Sequence, residues 1–284
     1  MRVNRFGFAK GEWKFYLYLL PIAVIMGLPI VYIFNHALKP IEELFLFPPT
    51  FFVRRPTFDN FTALARVSNH SAIPWTRYLF NSVVVTFGVV VGSMVFSTLA
   101  GFALAKLDFK GKQTFTKINT AALMFVSAAV AIPNFLIMNQ VGILNTMWAH
   151  ILPTLAMPVG LFLVTQFISQ VPDELIEAAV VDGASYFRIY RKIILPMIRP
   201  AVVTIIILSF QGVWSNTHTS AIFVTDEHLR TFAFYMGTLA HNANVVAGQG
   251  MAAAAALIMF LPNLIIFIFM QSNVMNTMAH SGLK

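Results

Sequence analysis

The amino-acid sequence contains no cysteine and very little charge. Asp, Glu, Lys and Arg make up 11% of its 284 residues, whereas 58% are hydrophobic. The lack of thiols excludes disulfides and thiolate chemistry, and it leaves the redox compartment open. Because soluble domains carry about 25% charged residues, the composition indicates an integral membrane protein. The net charge of +8 does not indicate nucleic-acid binding, since the basic residues lie at the ends of apolar runs rather than in one patch.

Charge is missing altogether from three long regions of the chain. The ranges Tyr78 to Ala105, Ile118 to Val171 and Ala201 to Thr225 contain no Asp, Glu, Lys or Arg. Carriers that couple transport to protons or ions usually need ionisable groups inside the membrane. The absence therefore argues against secondary transport and against an intramembrane hydrolase with a carboxylate pair.

No motif in the sequence predicts a catalytic or metal centre. There is no His and carboxylate cluster with metal-ligand spacing and no glycine-rich phosphate loop. His150, His218 and His241 lie near or beyond the ends of apolar runs, and we interpret them as hydrogen-bonded interfacial histidines rather than ligands. We therefore expect no catalytic residue and no metal site, and the chain shows no means of hydrolysing ATP itself.

Six apolar runs are long enough to cross a bilayer as helices. A transmembrane helix needs about 20 apolar residues, and the runs are Phe15 to Ile33, Tyr78 to Ala105, Ile118 to Met138, Ala149 to Ile168, Ala201 to Val224 and Met251 to Met270. We therefore predict an all-α polytopic membrane protein with six transmembrane helices. Small residues in the second run, such as Gly92 and Gly101, favour close helix packing.

Lysine and arginine are unevenly distributed among the predicted loops. They are frequent before the first run, after the second run and in residues 172–199, and they are absent from residues 139–145. Since basic loops tend to stay in the cytoplasm, we predict that both termini are cytoplasmic. The long first loop carries five basic residues and opposes this bias, but its length weakens its influence.

This orientation sets the predicted domain organisation. A single transmembrane domain covers residues 15–276, between a cytoplasmic N-terminus (1–14) and a cytoplasmic C-terminal tail (277–284). Its loops are an outer loop at about 36–77, a cytoplasmic loop at about 172–196 and an outer loop at about 225–249.

The cytoplasmic loop of residues 172–196 has the pattern of a helix, a tight turn and a second helix. Asp173 and Glu174 favour a helix N-terminus. Gly183 enters a left-handed turn without steric cost, so it predicts the end of the first helix. Ser185 is a good N-cap for the second helix, which we expect to end at Pro196.

This loop resembles the EAA loop of permease subunits of ATP-binding-cassette importers, at the family spacing. The matching residues are Glu177, Ala178 and Ala179, then Asp182, Gly183 and Ala184, and finally Ile193, Leu195 and Pro196. The resemblance implies the type I importer permease fold and a coupling helix that docks in a cleft of the ATPase subunit. The alternative is an amphipathic helix that merely lies on the membrane surface.

Shorter stretches are similar to sugar-importer permeases of the maltose-permease type. They are Thr57 to Phe61, Asn81 and Ser82, Ile132 and Pro133, Gly142 to Thr146, Thr231, and Gly282 to Lys284. The resemblance implies transport of a sugar or oligosaccharide. One departure is that Ser215 separates Trp214 from Asn216, where that branch commonly has an adjacent Trp-Asn pair.

Three uncharged polar or aromatic residues of the fifth run are candidates for the substrate path. Gln211, Trp214 and Asn216 suit sugar hydroxyls and ring faces. They are equally compatible with ordinary packing or with hydrogen bonds between helices.

The resemblance also implies the partners of the chain. These are a second homologous permease subunit, two ABC ATPase subunits that use ATP and Mg²⁺, an extracytoplasmic solute-binding protein and the lipid of a bacterial or archaeal cytoplasmic membrane. The chain itself is expected to bind no cofactor. Two other function classes stay open at this point, namely a carrier or channel not coupled to ATP and a membrane-embedded enzyme or assembly factor.

Overall fold

The computed structural model describes residues 13–69, 73–125, 129–242 and 246–281 of the chain. Within these ranges the backbone forms helices, turns and loops, without a β-strand. The α-helices are α1 (Trp13–Leu38), α2 (Ile41–Leu44), α3 (Asp59–Asn69), α4 (Trp75–Lys106), α5 (Lys112–Ala122), α6 (Ala131–Val141), α7 (Trp148–Leu155), α8 (Pro158–Ser169), α9 (Asp173–Val181), α10 (Tyr186–Ile189), α11 (Leu195–Met197), α12 (Arg199–Trp214), α13 (His218–Ile222), α14 (Phe232–Asn242) and α15 (Val246–Ser281). A π-helical turn covers Tyr190–Ile194 and a 3-10 turn covers Glu227–Leu229. The predicted all-α class is confirmed.

Three helices of the described ranges are long and apolar enough to cross a membrane, namely Tyr16–Leu38, Trp75–Lys106 and Gly248–Phe269. Two bent pairs would raise the number to five if each counts as one span: α7 with α8, bent by 43°, and Tyr186–Met197 with α12, bent by 81°. The middle of the predicted third span, residues 126–128, lies outside the described residues. The count of six spans therefore stays a prediction.

Prolines open the second helix of each bent pair. Pro158 begins α8, and Pro200 lies in the first turn of α12. Proline has no backbone N–H to bond to the preceding turn, so it suits a helix start and prevents the previous helix from running on.

The fifth predicted span is shorter than expected. Its helix, α12, ends at Trp214 rather than at Val224. The Asn216 side-chain oxygen accepts a hydrogen bond from the backbone N–H of Thr219 at 3.1 Å, which favours the start of α13 over continuation of α12.

Internal contacts divide the chain into two units, Met1–His70 with Thr238–Ile258 and Ser71–Gly237 with Met259–Lys284. In the first unit, the buried Asn60 side chain donates to the backbone carbonyl of Ala37 at 2.9 Å. It thereby satisfies a carbonyl that the end of α1 leaves without a helical partner. The buried Glu43 carboxylate accepts from the backbone N–H groups of Arg54 and Arg55 at 3.0 and 2.8 Å, which holds the loop after α2 in a fixed fold.

In the second unit α4 is the central helix, and α7, α8 and α12 pack against it. The small residues of α4 allow this close approach. A Cβ atom built on Gly101 would lie 2.7 Å from Cγ1 of Val164 in α8, and one on Gly92 would collide with Leu155 of α7. The predicted close packing at both glycines is confirmed.

Candidate functional site: the exposed helix–turn–helix loop

The loop of residues 172–196 forms two helices joined by a glycine turn. The first helix, α9, ends in a Schellman motif: the N–H of Gly183 bonds the carbonyl of Val180, and the N–H of Ala184 bonds the carbonyl of Ala179, both at 2.9 Å. Gly183 has a φ of +77°, a conformation that L-residues with a Cβ rarely adopt. The Ser185 hydroxyl then accepts from the N–H of Arg188 at 3.4 Å. The predicted turn at Gly183 and N-cap at Ser185 are confirmed.

Buried side chains seat this loop on α4 and α8. Four side chains of the loop are at most 9% exposed, namely Ile176, Ile189, Tyr190 and Ile194. They share one apolar core with Phe102 of α4 and Val164 of α8. The Tyr190 hydroxyl also lies 2.7 Å from the hydroxyl of Thr98, which is buried in α4. Because burial of each large apolar side chain contributes about 1.5–3 kcal/mol, the loop is firmly joined to these helices.

A buried lysine fixes the start of the loop. The ammonium group of Lys106, at the end of α4, donates to the backbone carbonyl of Val171 at 2.6 Å and to Asp173 Oδ1 at 2.7 Å. The Lys106 side chain is only 6% exposed. The Val171 carbonyl follows α8 and Asp173 opens α9, so one cation joins three helices. The sequence marked Lys106 only as part of a basic loop.

The opposite side of the loop is open. Glu177, Ala178, Asp182 and Gly183 are exposed, and Ala179 is half-buried. A patch of apolar side chains surrounds them: Val181 is 87% exposed, Phe187 65% and Tyr186 56%. Among the described residues neither the Glu177 nor the Asp182 carboxylate makes an ion pair. The exposed side of the loop thus combines apolar side chains with two carboxylates that make no ion pair. Such a surface suits a partner with apolar and basic groups.

The second helix of the loop departs from the predicted pattern in two ways. Helical spacing alone would put Phe187 on the same face as Tyr190 and Ile194, but Phe187 is 65% exposed, whereas Ile189 is fully buried. Helix α10 starts only at Tyr186. Phe187 therefore lies in its first turn, next to the turn at Asp182 to Ala184 (the elbow) and away from the core. The helix also continues through Pro196 to Met197, where we expected it to end at Pro196; a π-helical turn, in which Leu195 N–H bonds the Tyr190 carbonyl, precedes the proline. Ile193 and Leu195 are half-buried, and Pro196 is exposed.

Two of the three candidates for the substrate path are engaged in packing and bonding. Trp214 is 6% exposed, donates its indole N–H to the Met259 carbonyl at 3.0 Å and stacks on Phe210. Asn216 bonds Thr219, as described above. Only Gln211 presents an exposed side chain. A path role for these residues stays a prediction, and Gln211 is the one whose amide is free to meet a substrate.

Sequence reasoning missed a polar network at the other end of α4. The Asn81 amide, fully buried, donates to the backbone carbonyls of His228 and Arg230 at 2.7 and 2.9 Å. The neighbouring Ser82 hydroxyl accepts from the N–H of Phe232 at 2.8 Å. The sequence pointed to Asn81 and Ser82 only as a family-like pair, without indicating that both hold the 228–232 segment.

His150 belongs to the same network. Its ring is 1% exposed; Nε2 lies 3.0 Å from the Leu229 carbonyl, and Nδ1 lies 2.8 Å from the Thr219 hydroxyl. The carbonyl can only accept, so Nε2 carries a proton and, in the neutral ring, Nδ1 accepts from Thr219. The interpretation of His150 as hydrogen-bonded is confirmed. Within the described part of the chain, no group of three His, Asp or Glu side chains is placed to hold a metal ion.

Asn145 bonds the residues just before the 228–232 segment. Its side-chain oxygen accepts from the backbone N–H groups of Thr225 and Asp226 at 3.1 and 2.8 Å. Asn145 has a φ of +58°, a conformation that asparagine tolerates better than most residues. Asn145 therefore adopts the left-handed backbone conformation of the turn, and its side chain also caps the backbone N–H groups of residues 225 and 226.

Replacing Asn145 separates these two roles. Asn145→Gly keeps the backbone freedom but loses the hydrogen bonds, which should lower the free energy of unfolding by about 1 kcal/mol. Asn145→Ala loses the bonds and adds left-handed strain of about 1–2 kcal/mol, so it should be the more damaging change. Thermal unfolding of the purified chain in detergent measures both, and an equal loss in the two variants would contradict a strained turn at Asn145.

Comparison with known proteins points to the same family as the resemblance of residues 172–196. Residues 93–274 match the family described as binding-protein-dependent transport system inner membrane component. The arabinooligosaccharides transport system permease protein AraQ of Halalkalibacterium halodurans is 28% identical over 273 residues, 93% of each chain. The probable ABC transporter permease protein YurM of Bacillus subtilis is 31% identical over 211 residues, 74% of this chain and 70% of YurM.

The fold also matches a solved structure. A chain of a bacterial ABC transporter involved in the import of the acidic polysaccharide alginate superposes with a TM-score of 0.81, covering 94% of this chain and 98% of that one at 20% identity. The predicted importer-permease fold is therefore confirmed. The chain belongs to the binding-protein-dependent transport system inner membrane component family and is a multi-pass permease of the ABC-transporter type.

Proposed function

We propose that this chain is one permease subunit of an ATP-driven importer that moves a sugar or oligosaccharide across the cytoplasmic membrane. The solute is delivered by an extracytoplasmic binding protein. Partner ATPase subunits bind ATP and Mg²⁺ and hydrolyse the nucleotide, and the chain itself binds no cofactor.

The observation that carries the proposal is the two-sided construction of the loop at 172–196. Its inner side is buried against α4 and α8, and its outer side exposes Glu177, Asp182 and an apolar patch around Val181. A docked partner that moves this loop also moves the two helices on which it is seated. Interfaces of this kind convert rigid-body motion of one subunit into a change of access in another. We assign Glu177 to Ala179, Asp182 to Ala184, and Ile193, Leu195 and Pro196 to this coupling.

The carbohydrate substrate is proposed from the names of the proteins to which the chain is similar. AraQ is named for arabinooligosaccharides, and the matching structure belongs to a transporter for a polysaccharide. Within this chain, the exposed amide of Gln211 is the candidate that suits a sugar hydroxyl. A second, related permease must supply the rest of the path, since the apolar regions offer few polar side chains.

Transport in a reconstituted system tests this function. The chain is placed in liposomes with the second permease, the ATPases and the binding protein, and uptake is measured across a panel of labelled sugars. We expect uptake of one class of sugar that requires ATP on the ATPase side and the binding protein on the other. Equal uptake driven by an ion gradient without ATP would instead support a carrier.

We also propose that both termini and the loop at 172–196 face the cytoplasm. The chain has no native cysteine, so single cysteines at the exposed positions Ser185 and Asp226 report the topology without background. A membrane-impermeant maleimide added to intact cells should label Asp226→Cys, and Ser185→Cys should react only after the membrane is permeabilised. Labelling of both positions from the same side would contradict this topology.

A further inference from the structure

An apolar groove runs along α4 in the second unit, away from the loop at 172–196. A cavity of about 420 Å³ lies between α4, α5 and α8, with Ala103, Leu104 and Ile118 among its walls. A second cavity of about 200 Å³ shares Ala100, Asn119 and Leu161 with the first. The two cavities therefore adjoin each other along α4, and together they are called the groove.

The groove has the length and polarity of a hydrocarbon site. Along α4 it extends from Leu104 to Phe96, a rise of roughly 12 Å at 1.5 Å per residue. The amide of Asn119 is turned to the backbone carbonyl of Pro158 at 3.3 Å, so it does not demand a polar ligand.

Two lysines adjoin residues that line the groove. Lys110 follows Phe109, whose ring lines the groove, and Lys117 precedes Ile118, which also lines it. Both lysines are exposed, and within the described residues neither makes an ion pair. By contrast, Lys112 between them is paired with Asp108 at 3.3 Å. Two exposed lysines without an ion pair thus adjoin, in the sequence, residues that line the apolar groove.

We propose that this groove binds an anionic phospholipid, with one acyl chain in the groove and the phosphate beside Lys110 and Lys117. Basic residues next to the end of a transmembrane helix attract anionic lipid. Because the groove itself is apolar, it favours a lipid with an acyl chain over a free anion. A zwitterionic lipid such as phosphatidylcholine also carries a phosphate, but its quaternary ammonium group leaves it without the net negative charge that the two lysines attract. The site is separate from the coupling surface and does not depend on the transported solute.

Photolabelling of the complete importer complex tests the proposal. The complex is placed in phosphatidylcholine nanodiscs that contain a trace of phosphatidylglycerol or phosphatidylcholine with a photoreactive acyl chain, and the labelled peptides are identified by mass spectrometry. We expect phosphatidylglycerol to label residues 96–122 on the order of tenfold more strongly than phosphatidylcholine, since each lysine adds electrostatic attraction. The variant Lys110→Gln with Lys117→Gln should reduce the phosphatidylglycerol signal to the phosphatidylcholine level.

Two controls make the result specific. Arg54→Gln with Arg66→Gln removes the same charge from exposed positions outside the groove and should leave the labelling unchanged. Ala103→Trp should abolish labelling because the indole ring would fill the groove. Equal labelling by the two lipids, undiminished labelling of the double-lysine variant, or cross-linking of a photoreactive residue at position 103 to the second permease would overturn the proposal. Because labelling requires no transport, the result does not depend on the proposed import activity.

Discussion

Replacing Gly183 with leucine is expected to leave the chain in the membrane while weakening ATPase binding about tenfold or more, which corresponds to about 1.4 kcal/mol, and abolishing coupled uptake. Gly183 has a φ of +77°, and a Cβ there would meet no atom of the described residues within 4 Å, its two chain neighbours aside. The new side chain would therefore point outward, into the surface between Asp182 and Phe187 that we assign to the partner. ATP hydrolysis, ATPase retention during purification and sugar uptake are measured together.

A second glycine of the chain provides the matched control. Gly142 has a φ of +73°, and a Cβ there would also meet nothing within 4 Å. Gly142→Leu therefore introduces the same left-handed strain, about 1–2 kcal/mol, in a loop predicted to lie on the outer side. It should keep ATPase binding and coupling. If both variants lose ATPase binding equally, strain rather than docking explains the effect. Normal binding and uptake in Gly183→Leu would exclude the elbow from the coupling surface.

The second large effect is expected at Gly101, where α4 and α8 are closest. A leucine there would force its Cβ to within 2.7 Å of Val164 Cγ1 and 3.4 Å of the Thr165 backbone nitrogen. Overpacking of this kind costs about 1–3 kcal/mol. The collision would also separate α8 from α4, the two helices on which the loop at 172–196 is seated. We therefore expect Gly101→Leu to lower both the thermal unfolding temperature of the chain and its yield of assembled complex.

Gly212 of α12 is the control for this prediction. It is helical like Gly101, but a Cβ there would meet nothing within 4 Å, so Gly212→Leu should not lower the unfolding temperature. Gly101→Ala should fall between the two, because Val164 Cγ1 is the end of a side chain that can shift slightly. Unfolding of Gly101→Leu and Gly212→Leu at the same temperature would contradict the close packing of α4 on α8.

The turn of the loop at 172–196 was predictable because its signals are local. Asp173 favours the start of α9, Gly183 the left-handed turn and Ser185 the N-cap, and each acts within one or two turns of helix. The resemblance to the EAA loop then identified the fold and the family. Local chemistry and family spacing agree in this segment, so the prediction was detailed there.

Features that depend on distant contacts were not predictable. Asn81 bonds residues that lie 147 and 149 positions further along the chain, and the sequence contains no sign of that pairing. The burial of Ile189 instead of Phe187 likewise depends on how α10 meets α4 and α8. The early end of α12 was missed because an apolar run shows where a helix can continue but not that Asn216 bonds Thr219 and favours a new helix.

The most direct test of the central claim is photocross-linking from the elbow. A photoreactive residue is placed at Val181, which is 87% exposed, and separately at Val141, which is 63% exposed at the end of α6. In the assembled importer we predict that position 181 captures the ATPase subunit and that position 141 does not. Failure of position 181 to capture the ATPase in an intact, ATP-hydrolysing complex would contradict the assignment of residues 172–196 as the coupling loop.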